Sequence, residues 1–232
     1  MTLNASTKWD AQYNNRALVP EHGEYLARWA RESDLARRQL RCVLDQPYGS
    51  GPNETLDVFL PDQPRAPVLV FLHGGYWRSL DKADHSFVAP PFVGQGACVV
   101  VPNYALCPQV SVSDIVNQMA QALVWVYRNI QHHGGDRQRV TLVGHSAGAQ
   151  LAAMLLAWDW TQWAPDLPEA WCKRAVGVSG VYDLEPLRHT SFLQPVLQLT
   201  EEEVARVSPC RQPPPPQAQL ACWVGGAESE AF

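Results

Sequence analysis

The sequence predicts an α/β fold: a mostly parallel, twisted sheet with helices on both faces. Three observations point to it. Short continuous apolar runs at Val68 to Leu72, Ala97 to Val101, Val140 to Val143 and Ala175 to Val178 alternate with helical periods, as strands covered on both faces do. Between Ser111 and Gln131 the residues Val112, Ile115, Val116, Met119, Leu123, Val126, Tyr127 and Ile130 keep helical spacing. The run Gly144-His145-Ser146-Ala147-Gly148 then joins a strand to a stretch rich in helix formers, Ala147 to Ala157.

In chain order, Glu21 to Arg38 reads as a helix in which Tyr25, Leu26, Trp29 and Leu35 interleave with charges, the main part of an N-terminal helical arm over residues 1–40. Arg41 to Leu44 and Thr55 to Leu60 are strand-like and separated by Pro47, Gly49, Gly51 and Pro52, which predicts an antiparallel edge. Ser111 and Asp114 have capping-box-like spacing at the start of the long helix, and Gly134-Gly135 can stop it. After the strand Ala175 to Val178, residues 182–216 read as an irregular, cap-like region, with Pro213 to Pro216 as a stiff connector. Leu220 to Val224 is the last strand. The whole of residues 1–232 is expected to be one domain around one core.

Composition narrows the function classes. The chain is 46% hydrophobic and 18% charged, ordinary for a globular protein. A net charge of −5 and a pI near 5.8, without clustered Lys and Arg, argue against nucleic-acid binding. No apolar run has the length of a bilayer span, and Met1 to Lys8 lacks the apolar core of a signal peptide, so a cytoplasmic, membrane-free protein is expected. The six cysteines include no Cys-x-x-Cys pair, which disfavours zinc ribbons and redox motifs; Cys98 and Cys222 fall in apolar runs expected to be buried.

Chemistry concentrates at two places. In a strand-turn-helix setting, the glycines around Ser146 let the backbone take a strained conformation and expose the hydroxyl at a helix N-terminus, which is the nucleophile elbow of an α/β-hydrolase fold. The second is His73-Gly74-Gly75-Tyr76-Trp77, just past the strand Val68 to Leu72. Acyl transfer needs donors aimed at the developing oxyanion, and a glycine loop presents backbone N–H groups without side-chain obstruction. Gly74, Gly75 and Ala147 are the expected donors.

These motifs, with Pro102-Asn103-Tyr104-Ala105-Leu106-Cys107-Pro108, Tyr13-Asn14-Asn15-Arg16, Ser179-Gly180-Val181-Tyr182-Asp183-Leu184-Glu185-Pro186-Leu187 and Gly225-Gly226-Ala227-Glu228-Ser229, resemble the hormone-sensitive-lipase-like α/β-hydrolases. Within that branch the chain is most similar to the kynurenine formamidases. The resemblance implies hydrolysis of N-formyl-kynurenine to kynurenine and formate by a serine triad, with neither metal nor cofactor. It implies that Ser146 attacks the formyl carbon and that Tyr76 or Trp77 lines an aromatic substrate pocket.

A serine hydroxyl needs a base, and in this fold acid and histidine follow the serine in that order. Glu228, just past the strand Leu220 to Val224, occupies the acid position, where the family usually has Asp. The family's histidine lies one helix and one strand further on, beyond Phe232, so the expected fold lacks its last helix-strand-helix portion and the sequence reads as a truncated form. Of seven histidines only His189 follows Ser146, and it precedes Glu228. Asp183 could serve a rearranged triad with it, against the simpler role of a helix N-cap at Leu184. His73 belongs to the oxyanion loop, His145 is expected to point away from Ser146, and His22 and His85 are expected at the surface. The strand Leu220 to Val224 is expected to be an uncovered edge carrying Cys222 and Trp223, which invites pairing into a homodimer or aggregation. Three readings stand: an arylformamidase, a general carboxylesterase on small acyl esters, and an inactive binding remnant without its base.

Overall fold

The computed structural model describes residues 5–168, 171–213 and 217–232. Three helices, α1 (Ala5–Tyr13), α2 (Asn15–Leu18) and α3 (His22–Gln39), precede a sheet that opens with β1 (Cys42–Pro47), β2 (Thr55–Phe59) and β3 (Ala66–Leu72). Then come α4 (Ala89–Val93), β4 (Cys98–Pro102), α5 (Val112–Asn129), β5 (Gly135–His145), α6 (Ala147–Leu156) and α7 (Trp160–Trp163). The described chain closes with β6 (Arg174–Val178), α8 (Gln194–Leu197), α9 (Glu201–Val207) and β7 (Gln219–Trp223).

The strands form one seven-stranded sheet in the order β1-β2-β4-β3-β5-β6-β7. β2 pairs antiparallel with both β1 and β4, and the pairs from β4 through β7 are parallel. This is the α/β-hydrolase fold expected from the alternation of strands and helices. Alternate residues of β3 divide between the two faces: Val68, Val70 and Leu72 pack into the layer containing α5 and α6, whereas Leu69 and Phe71 join Ala89 of α4, with Leu40 at the end of the arm packed against them. Helices therefore cover both faces. α6 is buried along its whole length, which explains why it is apolar on every side and not amphipathic.

Local chemistry sets the boundaries. Ser111 and Asp114 form the expected reciprocal cap at the start of α5, and after α5 the 3-10 turn Ile130–His133 is ended by Gly134 at φ 83°. β5 begins at Gly135, earlier than its apolar run indicates, because Gly135 pairs across to Ala66. The region read as irregular contains α9, whose first turn is capped by Thr200 and whose Val204 and Val207 reach the core. Of the proline connector, residues 214–216 lie outside the described residues.

Cys222 departs from the expectation of burial, whereas the exposure of β7 accords with the uncovered strand also expected there. All five residues of β7 are exposed, Cys222 included, whereas Cys98 in β4 is buried. The difference lies in coverage of the faces: β4 contributes Cys98 and Val100 to one core cluster and Val99 and Val101 to the other, whereas no residue of β7, which pairs only with β6 among the described residues, belongs to either. Among those residues no helix is long and apolar enough to cross a membrane.

Candidate active site

β5 feeds directly into a turn at Ser146, which sits at φ 55° and ψ −118°, outside the regions an L-residue prefers, and serves as N-cap of α6. The turn is held from the side by Ser146 N–H, which donates to Val178 O at the end of β6 (2.8 Å). Its flanking glycines are required by contact. A Cβ on Gly148 would stand 1.9 Å from Leu72 O, and one on Gly144 2.1 Å from Gly148 O, so β3, β5 and α6 meet backbone to backbone. Ser146 is only 8% exposed and its Oγ has no hydrogen-bond partner among the described residues.

The glycine loop leaves β3 beside this turn. Gly75 (φ 118°), Tyr76 (φ 50°) and Trp77 (φ 55°) are successive positive-φ residues, and a Cβ on Gly75 would overlap Ser79 O at 2.1 Å. Gly75 O accepts from Arg78 N–H (3.1 Å) and Ser79 Oγ (2.9 Å), closing the loop on itself. The N–H groups of Gly74, Gly75 and Ala147 donate to no described residue. A Cβ on Gly74 would lie 3.1 Å from Ser146 Cβ, so loop and elbow are in contact. Free amides next to an unpartnered hydroxyl are the elements that addition to an acyl carbon uses.

Beneath the loop lies a buried aromatic stack. His73 is fully enclosed, faces Tyr104 at 4.2 Å with rings 7° apart, and stacks on His85 at 5.3 Å. Tyr104 Oη donates to His73 O (2.8 Å), and Asn103 Oδ1 lies 3.3 Å from His73 Nε2. Burial holds His73 below its ordinary pKa and takes His85 down to about 4, with the neighbouring His73 adding to the effect on His85. His85 is thus a core residue, only 2% exposed, and not the surface residue its distance from the motifs suggested.

Ser146 opens into a cavity of about 320 Å³. Trp29 and Tyr25 of α3 and Tyr76 and Phe192 line it, and Tyr76 Oη donates to Tyr13 O of α1 (2.7 Å), which ties the loop to the arm. Burial pushes the Tyr13 hydroxyl up to about 12, with Asp183 adding to it. The arm is therefore half of the cavity, and the Asn14, Asn15 and Arg16 run lies in its wall.

The structure separates the two aromatic candidates on the loop. Tyr76 lines the cavity, but Trp77 does not: it is fully buried, and its Nε1–H donates to Gln150 Oε1 of α6 (3.0 Å). Trp77 turns inward against α6 instead, where the bond to Gln150 holds it. His145 also lines the cavity, meets Trp29 edge to face at 6.3 Å, and has its pKa lowered by burial while the Glu228 carboxylate acts in the opposite sense.

Glu228 lies past β7, where its Oε1 accepts from Ser179 Oγ (2.7 Å) and Gly225 N–H (2.8 Å). Its Oε2 has no partner among the described residues. His189 is not brought to Ser146: it stands 3.4 Å from Glu185 Oε1, half exposed, and does not line the cavity. Asp183 accepts from Glu185 N–H (3.0 Å), an Asx turn opening the single-turn helix Glu185–His189, in keeping with a local structural role. Sequence reasoning missed Arg78, Phe192 and His22 as cavity residues. Only His22 carried a signal, since His22, Tyr25, Leu26 and Trp29 share one face of α3 at helical spacing.

The family model described as BD-FAE matches residues 56–170. A kynurenine formamidase of Danio rerio is 40% identical over 183 residues, 77% of this chain and 59% of its own length. That of Drosophila melanogaster is 33% identical over 76% of this chain and 58% of its own. A solved structure, a provisionally named thioesterase from Silicibacter sp. TM1040, superposes with a TM-score of 0.86 at 33% identity, covering 96% of this chain and 82% of that one. The chain belongs to the kynurenine formamidase-like α/β-hydrolases. It spans about three fifths of the length of the curated kynurenine formamidases that it matches, 59% and 58% in the two cases given. In this family member, as the motifs implied, the elbow and the glycine loop are adjacent in space. Both fall within the matched 56–170 segment, whereas the arm and the Glu228 loop lie outside it.

Proposed function

We propose that the protein is a serine hydrolase of the arylformamidase type, acting on N-formyl-kynurenine through Ser146 with Glu228 as the acid of its triad. The observation that carries this reading is an unpartnered Ser146 hydroxyl at φ 55°, in contact with a loop whose amides are free and facing an aromatic-walled cavity. Ser146 Oγ adds to the formyl carbon while its proton passes to a base. The oxyanion is held by the amides of Gly74, Gly75 and Ala147. Collapse breaks the C–N bond, the aryl amine leaves with a proton, and water then cleaves the formyl-serine ester to formate. Tyr76 lines the aromatic subsite.

Glu228 is oriented by Ser179 and Gly225 through one oxygen, which leaves the other for an imidazole. None of the seven histidines of this chain is assigned as the base. The kynurenine formamidase likeness favours a formamide over the general ester alternative.

Turnover of N-formyl-kynurenine and p-nitrophenyl acetate, with fluorophosphonate labelling, tests the proposal. Ser146→Ala should abolish labelling and both turnovers. Labelling that survives Ser146→Ala would refute the nucleophile assignment, and turnover of the ester alone would move the reading to a carboxylesterase. An unlabelled, inactive native chain would leave the binding remnant.

A further inference from the structure

The charged groups of the cavity do not balance. Its lining contains two arginines, Arg16 and Arg78, and no Asp or Glu. Arg78 stands two residues past Tyr76 on the glycine loop. Its Nη1 donates to Phe192 O (2.7 Å), and its guanidinium rests over the Phe192 ring at 5.5 Å from the centroid. These contacts fix the plane of the group and use one of its N–H donors, and the remaining donors meet no described residue. Arg16, the second residue of the four-residue helix α2, has no hydrogen bond or ion pair with a described residue. Arg16 and Arg78 are near enough that Arg16 adds to burial in lowering the Arg78 pKa, with Tyr76 acting in the opposite sense.

A held, uncompensated guanidinium at the rim of an apolar site is suited to a planar oxyanion, which it can engage with two parallel N–H bonds. We propose that Arg78, assisted by Arg16, forms a carboxylate subsite, so that the preferred ligand is an anionic aromatic acyl compound and not a neutral one. The inference rests on the reading of this cavity as the substrate site. In this arrangement the ring lies among Trp29, Tyr76 and Phe192, and the ligand carboxylate meets Arg78 and Arg16. Neutral aryl esters and formamides fill the same aromatic walls but leave the arginines unpaired.

Binding of 4-oxo-4-phenylbutanoate and of its neutral primary amide, measured by calorimetry on the 232-residue chain, tests the subsite without requiring turnover. The carboxylate should bind about 10-fold tighter or more, as expected for a charge-assisted pair, and the preference should shrink with added salt. Arg78→Gln should remove the preference, with the loss of carboxylate affinity exceeding any change in amide affinity that follows from freeing Phe192. Arg16→Gln, an exposed substitution that cannot unfold the loop, should reduce the preference in the same direction. Equal affinity for the two ligands, no binding of either, or a preference that survives both variants would overturn the proposal. Fluorophosphonate labelling reports separately on Ser146: labelling without a carboxylate preference defeats only the subsite, and a preference without labelling defeats only the proposed chemistry.

Discussion

Trp77 and Gln150 are joined by a hydrogen bond of 3.0 Å between two fully buried side chains, Trp77 Nε1–H to Gln150 Oε1. One belongs to the glycine loop and the other to the helix that starts at Ser146. Gln150 Nε2 also donates to Val207 O (2.7 Å), so a single amide links loop, elbow helix and α9. Gln150→Leu leaves the indole N–H and the Val207 carbonyl unpaired in the core. Urea unfolding should show a loss of about 2–4 kcal/mol, from two buried polar groups stranded at about 1–3 kcal/mol each with partial relief by the added apolar side chain.

The φ of 55° at Ser146 implies strain carried by any residue with a Cβ. Ser146→Gly should therefore unfold at higher denaturant than Ser146→Ala, by about 1 kcal/mol, although neither variant has a nucleophile. Equal midpoints for the two would mean the turn is not strained.

Lys82 is the cation of a buried cluster outside the cavity. Its Nζ lies 2.6 Å from Oδ1 of Asp57, itself 1% exposed, and 2.7 Å from Oδ1 of Asp45. Lys82→Met strands the Asp57 charge and should cost about 3–5 kcal/mol at neutral pH. Burial works to lower the Lys82 pKa, but hydrogen bonds and charge from Asp45 and Asp57 override it and leave it raised. A raised lysine pKa contributes stability that is complete below the unfolded value, about 10.4, and is lost as pH rises through the folded one. The gap between native and Lys82→Met stabilities should accordingly narrow only in strong alkali.

His85 gives the opposite pH dependence. Its pKa of about 4 lies below the value near 6.5 of an unfolded histidine, so the unfolded chain binds the extra proton between those limits. Stability should fall as pH drops from about 6.5 to about 4, by about 3 kcal/mol from this group, with His73 and His145 acting in the same direction. His85→Phe, which keeps a ring against Phe71 and Phe87, should lessen that acid sensitivity in pH-dependent thermal unfolding.

Leu220 and Trp223 of β7, which pairs only with β6 among the described residues, and Val224 just past it are 41%, 69% and 56% exposed. An open edge with apolar side chains pairs readily with another chain. Sedimentation velocity should show self-association of the 232-residue chain that Trp223→Lys reduces; a monomer at all concentrations would contradict it.

The elbow, the glycine loop and the parallel sheet were legible because each rests on local rules: strand periodicity, glycine at a close approach, helix caps. Gly148 could be read from sequence because a Cβ there collides with Leu72 O whatever surrounds it. What escaped depends on contacts far apart in the chain. Arg78 reaches Phe192 across 114 positions, and His85 is buried because His73, Phe71 and Trp29 converge on it, which no spacing between neighbours encodes. Trp77 was misassigned to the cavity because the motif gives its identity but not its direction, which the run of positive φ angles decides.

The wall that α3 supplies has a consequence for how such a site can diversify. The reactive turn is locked where three backbones touch, and almost any change there threatens the sheet itself. Tyr25 and Trp29, by contrast, stand on a helix that precedes every strand and meet the cavity from outside. Selectivity can drift by exchanges on that one helical face while the machinery underneath stays fixed, so the opening segment, and not the region around Ser146, is where close relatives with different appetites should diverge.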